Sequence, residues 1–205
     1  MRIRPRSAPR GRAAVAVLAV LATTATACTS SATSAVDPLA GNDFRFVNAT
    51  AKGDVVPSDE RKPAGPVGGS LLSSNGTYQL TQDLGKVVVI NLWATWCNPC
   101  VVETPEFNTV YAAVKDQGVN FVGFAVKNAP ISKPQEFVKT YGIDFTMVYD
   151  EPAKVALQLG NLPVQGLPLT VLIDRRGRVA AAYVGLVQPS QLKPAIASLV
   201  AETAP

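Results

Sequence analysis

Residues 86–100 read Lys86-Val87-Val88-Val89-Ile90-Asn91-Leu92-Trp93-Ala94-Thr95-Trp96-Cys97-Asn98-Pro99-Cys100. The apolar, β-branched run 86–92 is the composition of a strand buried on both faces. Residues 98–116 predict a helix, with Pro99 in its first turn, where a missing N–H costs nothing. Cys97 therefore stands at a helix N-terminus, where unpaired N–H groups and the macrodipole favour an anion. An anionic sulfur is a nucleophile, and Cys100 follows one helical turn later, placed to capture the product. The pattern is that of a dithiol that makes and breaks disulfides.

The whole chain of 205 residues carries a formal charge of +4, but the excess is confined to its start. Arg2, Arg4, Arg6, Arg10 and Arg12 precede residue 13, and the first acid is Asp37. Without residues 1–27 the side chains number 14 basic and 15 acidic, so no nucleic-acid footprint is expected. Residues 1–27 read as a secretory signal, an arginine-rich start followed by the apolar run Ala13 to Ala27, too short for a comfortable membrane span. No adjacent Arg-Arg pair occurs in this segment, which favours general secretion over the twin-arginine route. Its end, Thr24-Ala25-Thr26-Ala27-Cys28, resembles a bacterial lipobox with Ala25 where leucine is preferred, and it also fits an ordinary A-x-A cleavage site. Both routes cut before Cys28. Lipidation of Cys28 is the favoured expectation, because it explains an otherwise unpaired exported cysteine.

The three cysteines, Cys28, Cys97 and Cys100, then divide into one anchor and one pair. Export places the pair where disulfides persist. Histidine is absent from the chain, which excludes Ser-His-Asp and Cys-His catalysis and any imidazole metal site. Zinc wants four N/S ligands, so no metal site is expected. A structural bridge between Cys97 and Cys100 would close too short a loop to stabilise much by chain entropy.

Residues 28–65 are expected to form a tether and an irregular extension, with Phe44-Arg45-Phe46-Val47 as a short strand within it. Residues 66–203 are expected to form the domain. Asn75-Gly76 predicts a hairpin between Leu71–Ser73 and Tyr78–Leu80. Strands are expected at 119–126, 145–149, 169–174 and 179–184, and helices at 133–141, 152–159 and 188–200, with Phe137 and Val138 facing inward. Arg175-Arg176-Gly177-Arg178 reads as a solvated hairpin turn. Pro105 is expected to kink its helix. This order predicts an α/β fold whose mixed central sheet has helices on both faces.

From about Val67 to Val200 the chain resembles extracytoplasmic thioredoxin-like proteins of the TlpA/ResA/CcmG type. The resemblance rests on residues 86–100 with Glu103 and Pro105, on Gly166-Leu167-Pro168-Leu169-Thr170-Val171-Leu172-Ile173-Asp174, and on a helix-plus-strand insertion at Lys127–Asp150. It implies a thioredoxin-like fold, a redox disulfide between Cys97 and Cys100, and no cofactor. Cys97 is the expected attacking thiol and Cys100 the resolving one. Trp96 is expected to shield the pair and touch partners beside Asn98 and Pro99. Pro168 resembles the cis-proline facing the cysteines, and Leu167 before it would offer its backbone to an extended substrate.

Plain thioredoxins carry a buried Asp six residues before the first cysteine. Asn91 occupies that position here, so the resemblance assigns proton handling to Glu103, which shares a helical face with Cys100. The neutral Asn98-Pro99 dipeptide points to a reducing poise. The implied partners are disulfide-bearing proteins such as apocytochrome c, and a membrane thiol donor. An oxidase or isomerase of secreted proteins, a peroxide-reducing enzyme and a copper-handling module stand as alternatives.

Overall fold

The structure, a computed structural model, describes residues 54–160 and 166–202. The expected signal segment, Cys28 and the strand at Phe44–Val47 lie outside them. The elements in order are β1 (Gly68–Leu71), β2 (Thr77–Gln79), β3 (Val87–Trp93), α1 (Asn98–Val114), β4 (Val119–Val126), α2 (Ser132–Thr140), β5 (Thr146–Asp150), α3 (Lys154–Gln158), β6 (Leu169–Ile173), β7 (Val179–Val184) and α4 (Pro189–Ala201). One mixed sheet runs in the order β2-β1-β5-β4-β3-β6-β7. β3, β4 and β5 are parallel, while β1, β6 and β7 pair antiparallel to their neighbours.

β3 is central and buried at every residue, as a strand covered on both faces must be. Its alternate side chains enter two cores. Val87, Val89 and Trp93 join Phe107 and Val110 of α1, Phe137 of α2, and Leu192, Ile196 and Leu199 of α4. Val88, Ile90 and Leu92 join Val155 and Ala156 of α3, together with Val56 and Val67 from the chain before β1.

The segment 54–65, assigned by composition to the extension, is thus packed against the domain. Val56 N–H donates to Ala180 O at 2.8 Å, and Lys62 O accepts from Val179 N–H at 2.9 Å. Arg61, buried, pairs with Asp174 and Glu202. Proline and glycine content marked this stretch as irregular, which it is; it could not reveal that the short helix α3 leaves part of the second face for Val56 to cover.

The expected hairpin forms with a longer connection. Leu72 is drawn into the core and donates its N–H to Met147 O at 2.8 Å, so β1 ends at Leu71. Helix α1 runs through Pro105 and stops at Val114, where a 3-10 turn leads to left-handed Gly118 (φ 76°). The arginine turn is only partly solvated. Arg175 donates to Gly85 O and Val200 O, and Arg178 pairs with Asp174, leaving Arg176 exposed.

Candidate functional site

The register brings four connections to one edge of the sheet. Trp93 pairs with Ala125, Leu92 with Leu169, and Leu169 with Val184. The segments after β3, β4 and β7, and the one before β6, therefore surround the cysteines.

Cys97 is the N-cap of α1, with extended backbone (φ −88°, ψ 101°), and its Sγ accepts from Cys100 N–H at 3.3 Å. The two cysteines are disulfide-bonded, with their Cα atoms 5.3 Å apart. Cys100 is fully buried and Cys97 nearly so, while Asn98 and Pro99 are exposed. Opening of the bond would leave Cys97 Sγ facing helix N–H donors, the environment that favours a thiolate.

Trp96 is 59% exposed, and its Nε1–H donates to Lys127 O at 2.8 Å. The peptide bond Leu167–Pro168 is cis. Pro168 is buried and its carbonyl accepts from Gly185 N–H at 2.8 Å, while Leu167 stays partly exposed and packs against both cores.

Glu103 is fully buried on α1, about one helical turn after Cys100. Its Oε2 accepts from Asn91 Nδ2 at 2.9 Å and its Oε1 from Val187 N–H at 2.7 Å. Asn91 Nδ2 also lies 3.1 Å from Thr170 Oγ1 on β6, as its second donor contact. Burial pushes the Glu103 carboxyl up to about 7, against the two donors that hold the ionised form. A carboxyl poised there can take and return a proton near neutral pH.

Several site residues carried no signal in the sequence. Val187 contributes only its backbone N–H, from 84 residues away. Thr170 lies within the quoted 166–174 stretch, without an assigned role. Asn128, buried after β4, accepts through Oδ1 from Thr95 N–H at 2.9 Å and Thr95 Oγ1 at 2.8 Å. Only the register shows that it faces the cysteine segment.

The redoxin family pattern matches residues 51–197, well over half the chain. A ResA thiol–disulfide oxidoreductase of Bacillus thuringiensis is 34% identical over 109 residues, covering 53% of this chain and 61% of that protein. The chain thus spans less than two thirds of that relative. A DsbF homologue from Corynebacterium diphtheriae superposes with a TM-score of 0.68 at 33% identity, over 71% of this chain and 91% of that one. A secreted thiol-disulfide isomerase from Corynebacterium glutamicum gives 0.70 at 26% identity, over 72% and 91%. The chain belongs to the redoxin family and is of its thioredoxin-like TlpA/ResA/CcmG type.

Proposed function

We propose that this chain is an extracytoplasmic thiol–disulfide oxidoreductase that reduces disulfides of partner proteins through Cys97 and Cys100. The observation that carries the reading is the helix-capping disulfide backed by a buried carboxyl poised near neutrality.

In the reducing direction the Cys97 thiolate attacks one sulfur of a client disulfide. A Cys97–client bond forms, and the other client sulfur leaves as a thiolate that takes a proton from solvent. The Cys100 thiol gives its proton to the Glu103 carboxylate. The Cys100 thiolate then attacks Cys97 Sγ, closing the Cys97–Cys100 bond and expelling the second client sulfur, which takes up a proton. Two electrons pass from the dithiol to the client. A membrane thiol donor restores the dithiol, and lipid on Cys28 keeps the two together. Exposed Trp96 and the backbone of Leu167, before cis-Pro168, are the client-facing groups.

Cytochrome c precursors are the proposed clients. Replacing Cys100 with Ala leaves nothing to release the mixed disulfide, so the client stays on Cys97 and can be identified. Recovery of apocytochrome c supports the reductant. The second reading, an isomerase of secreted proteins, is favoured by the structural similarity to the Corynebacterium glutamicum isomerase. It is supported instead if a broad set of secreted proteins is trapped. A potential near that of a strong oxidant, about −120 mV, overturns the reducing poise. Unchanged membrane retention of Cys28→Ala overturns the anchor.

A further inference from the structure

The two residues immediately before Cys97 are bonded to two consecutive residues of the segment between β4 and α2. Thr95 gives both its N–H and its hydroxyl to Asn128 Oδ1, at 2.9 and 2.8 Å. Trp96 gives its Nε1–H to Lys127 O at 2.8 Å. The acceptors are themselves held. Asn128 Nδ2 donates to Val126 O at 3.1 Å, and Asn128 O accepts from Tyr149 Oη on β5 at 2.8 Å. Lys127 N–H donates to Glu151 O at 3.0 Å.

Lys127 is left-handed (φ 49°), a conformation that a residue with a Cβ adopts at a cost and keeps only when its surroundings hold it there. The turn at Lys127 coincides with the point where one carbonyl and the next side chain both face the cysteine segment. Asn128 is buried, so its carboxamide has no alternative partner in water.

We propose that Asn128 is a positioning residue, which clamps Thr95 and thereby sets the N-capping geometry of Cys97. The inference rests on the redox reading of Cys97 and Cys100. A thiolate at an N-cap is stabilised only while Sγ stays aligned with the first helical N–H groups, here that of Cys100 at 3.3 Å. β3 ends at Trp93, and Ala94, Thr95 and Trp96 carry the chain from it to that cap, with Ala94 O also accepting from Cys97 N–H at 3.1 Å. Thr95 lies inside this short turn, so slack in it passes to Cys97. Trp96 is part of the same device. Its N–H is consumed by Lys127 O, which fixes the indole and leaves its faces for a client.

The test compares wild type with Asn128→Ala, Thr95→Ala, Thr95→Ser and Trp96→Phe. For each, the Cys97 thiol is titrated by thiolate absorbance and alkylation rate in the reduced protein. The dithiol–disulfide equilibrium is measured against glutathione, and stability by denaturant separately. Loss of the clamp raises the Cys97 titration midpoint by about half to one pH unit, and moves the glutathione equilibrium about three- to tenfold toward the disulfide. Thr95→Ala and Trp96→Phe shift both in the same direction by less, and Thr95→Ser restores the wild-type values. If Asn128→Ala fails to fold, the Thr95 pair and Trp96→Phe still decide the matter. Variants that lose stability but keep the wild-type midpoint and equilibrium overturn the proposal. A wild-type protein that fails to exchange with glutathione overturns the redox reading instead.

Discussion

Asn91 donates from Nδ2 to Oε2 of Glu103 at 2.9 Å, joining the central strand to the helix that carries the cysteines. The position where plain thioredoxins carry an acid thus holds a donor here, and the acid stands across the interface on α1. Burial and this donor act on Glu103 in opposite directions, and burial is the larger influence.

Glu103 makes stability depend on pH. Its folded value of about 7 lies above the ordinary 4.5, so the folded state binds the proton more tightly than the unfolded chain does. The stabilisation is full below pH 4.5 and is lost as pH rises through 7, on the order of 3 kcal/mol in all. Denaturant unfolding of the oxidised protein at several pH values should show that fall. In Glu103→Gln this part of the slope should vanish. An unchanged slope would show that Glu103 does not titrate in this window.

Asn91→Asp sets two carboxyls in contact in a buried site. They cannot both ionise readily, so the pair should titrate in two steps, the upper one above the present value of about 7. Carbon-13 carboxyl NMR reads this directly. The release of client by Cys100 should slow at neutral pH, because less of the accepting carboxylate is ionised there.

Gly123→Ala should weaken the strand pairing on which this contact rests. Gly123 pairs with Asn91, and a methyl added there would run into Met147 Sδ and the indole nitrogen of Trp93. Overpacking of this kind costs about 1–3 kcal/mol. A lower denaturant midpoint with unchanged slope is the expected result.

Arg61→Met should loosen the chain before β1. Arg61 donates to Asp174 at 3.2 Å and, through both terminal nitrogens, to Glu202. Loss of one member of a buried pair costs about 3–5 kcal/mol. Asp174 keeps Arg178 and Glu202 can turn toward water, so a loss near about 2–3 kcal/mol is expected. Faster proteolysis between residues 54 and 65 should accompany it.

The sequence by itself determined the parts governed by neighbours along the chain. β-branched runs marked β3 and β4, helical spacing with Pro99 marked α1, and the Cys97–Cys100 spacing carried the chemistry. It also placed Glu103 on the face of Cys100, because three residues is nearly one helical turn. Even the turn at residues 175–178 was legible, though its arginines were not, since Arg175 finds acceptors at Gly85 and Val200.

Only the tertiary structure decided what depends on pairing between distant segments. Periodicity marks a buried side chain but not what lies against it. Nothing local shows that Val187 offers its N–H to Glu103, that Asn128 holds Thr95, or that Val56 completes the second core. Those contacts follow from the order of seven strands and their register, which bring four chain connections to one sheet edge. The reactive pair and the carboxyl one turn after it are local; the groups that hold Glu103 and Thr95 in place come from long-range closure of the sheet.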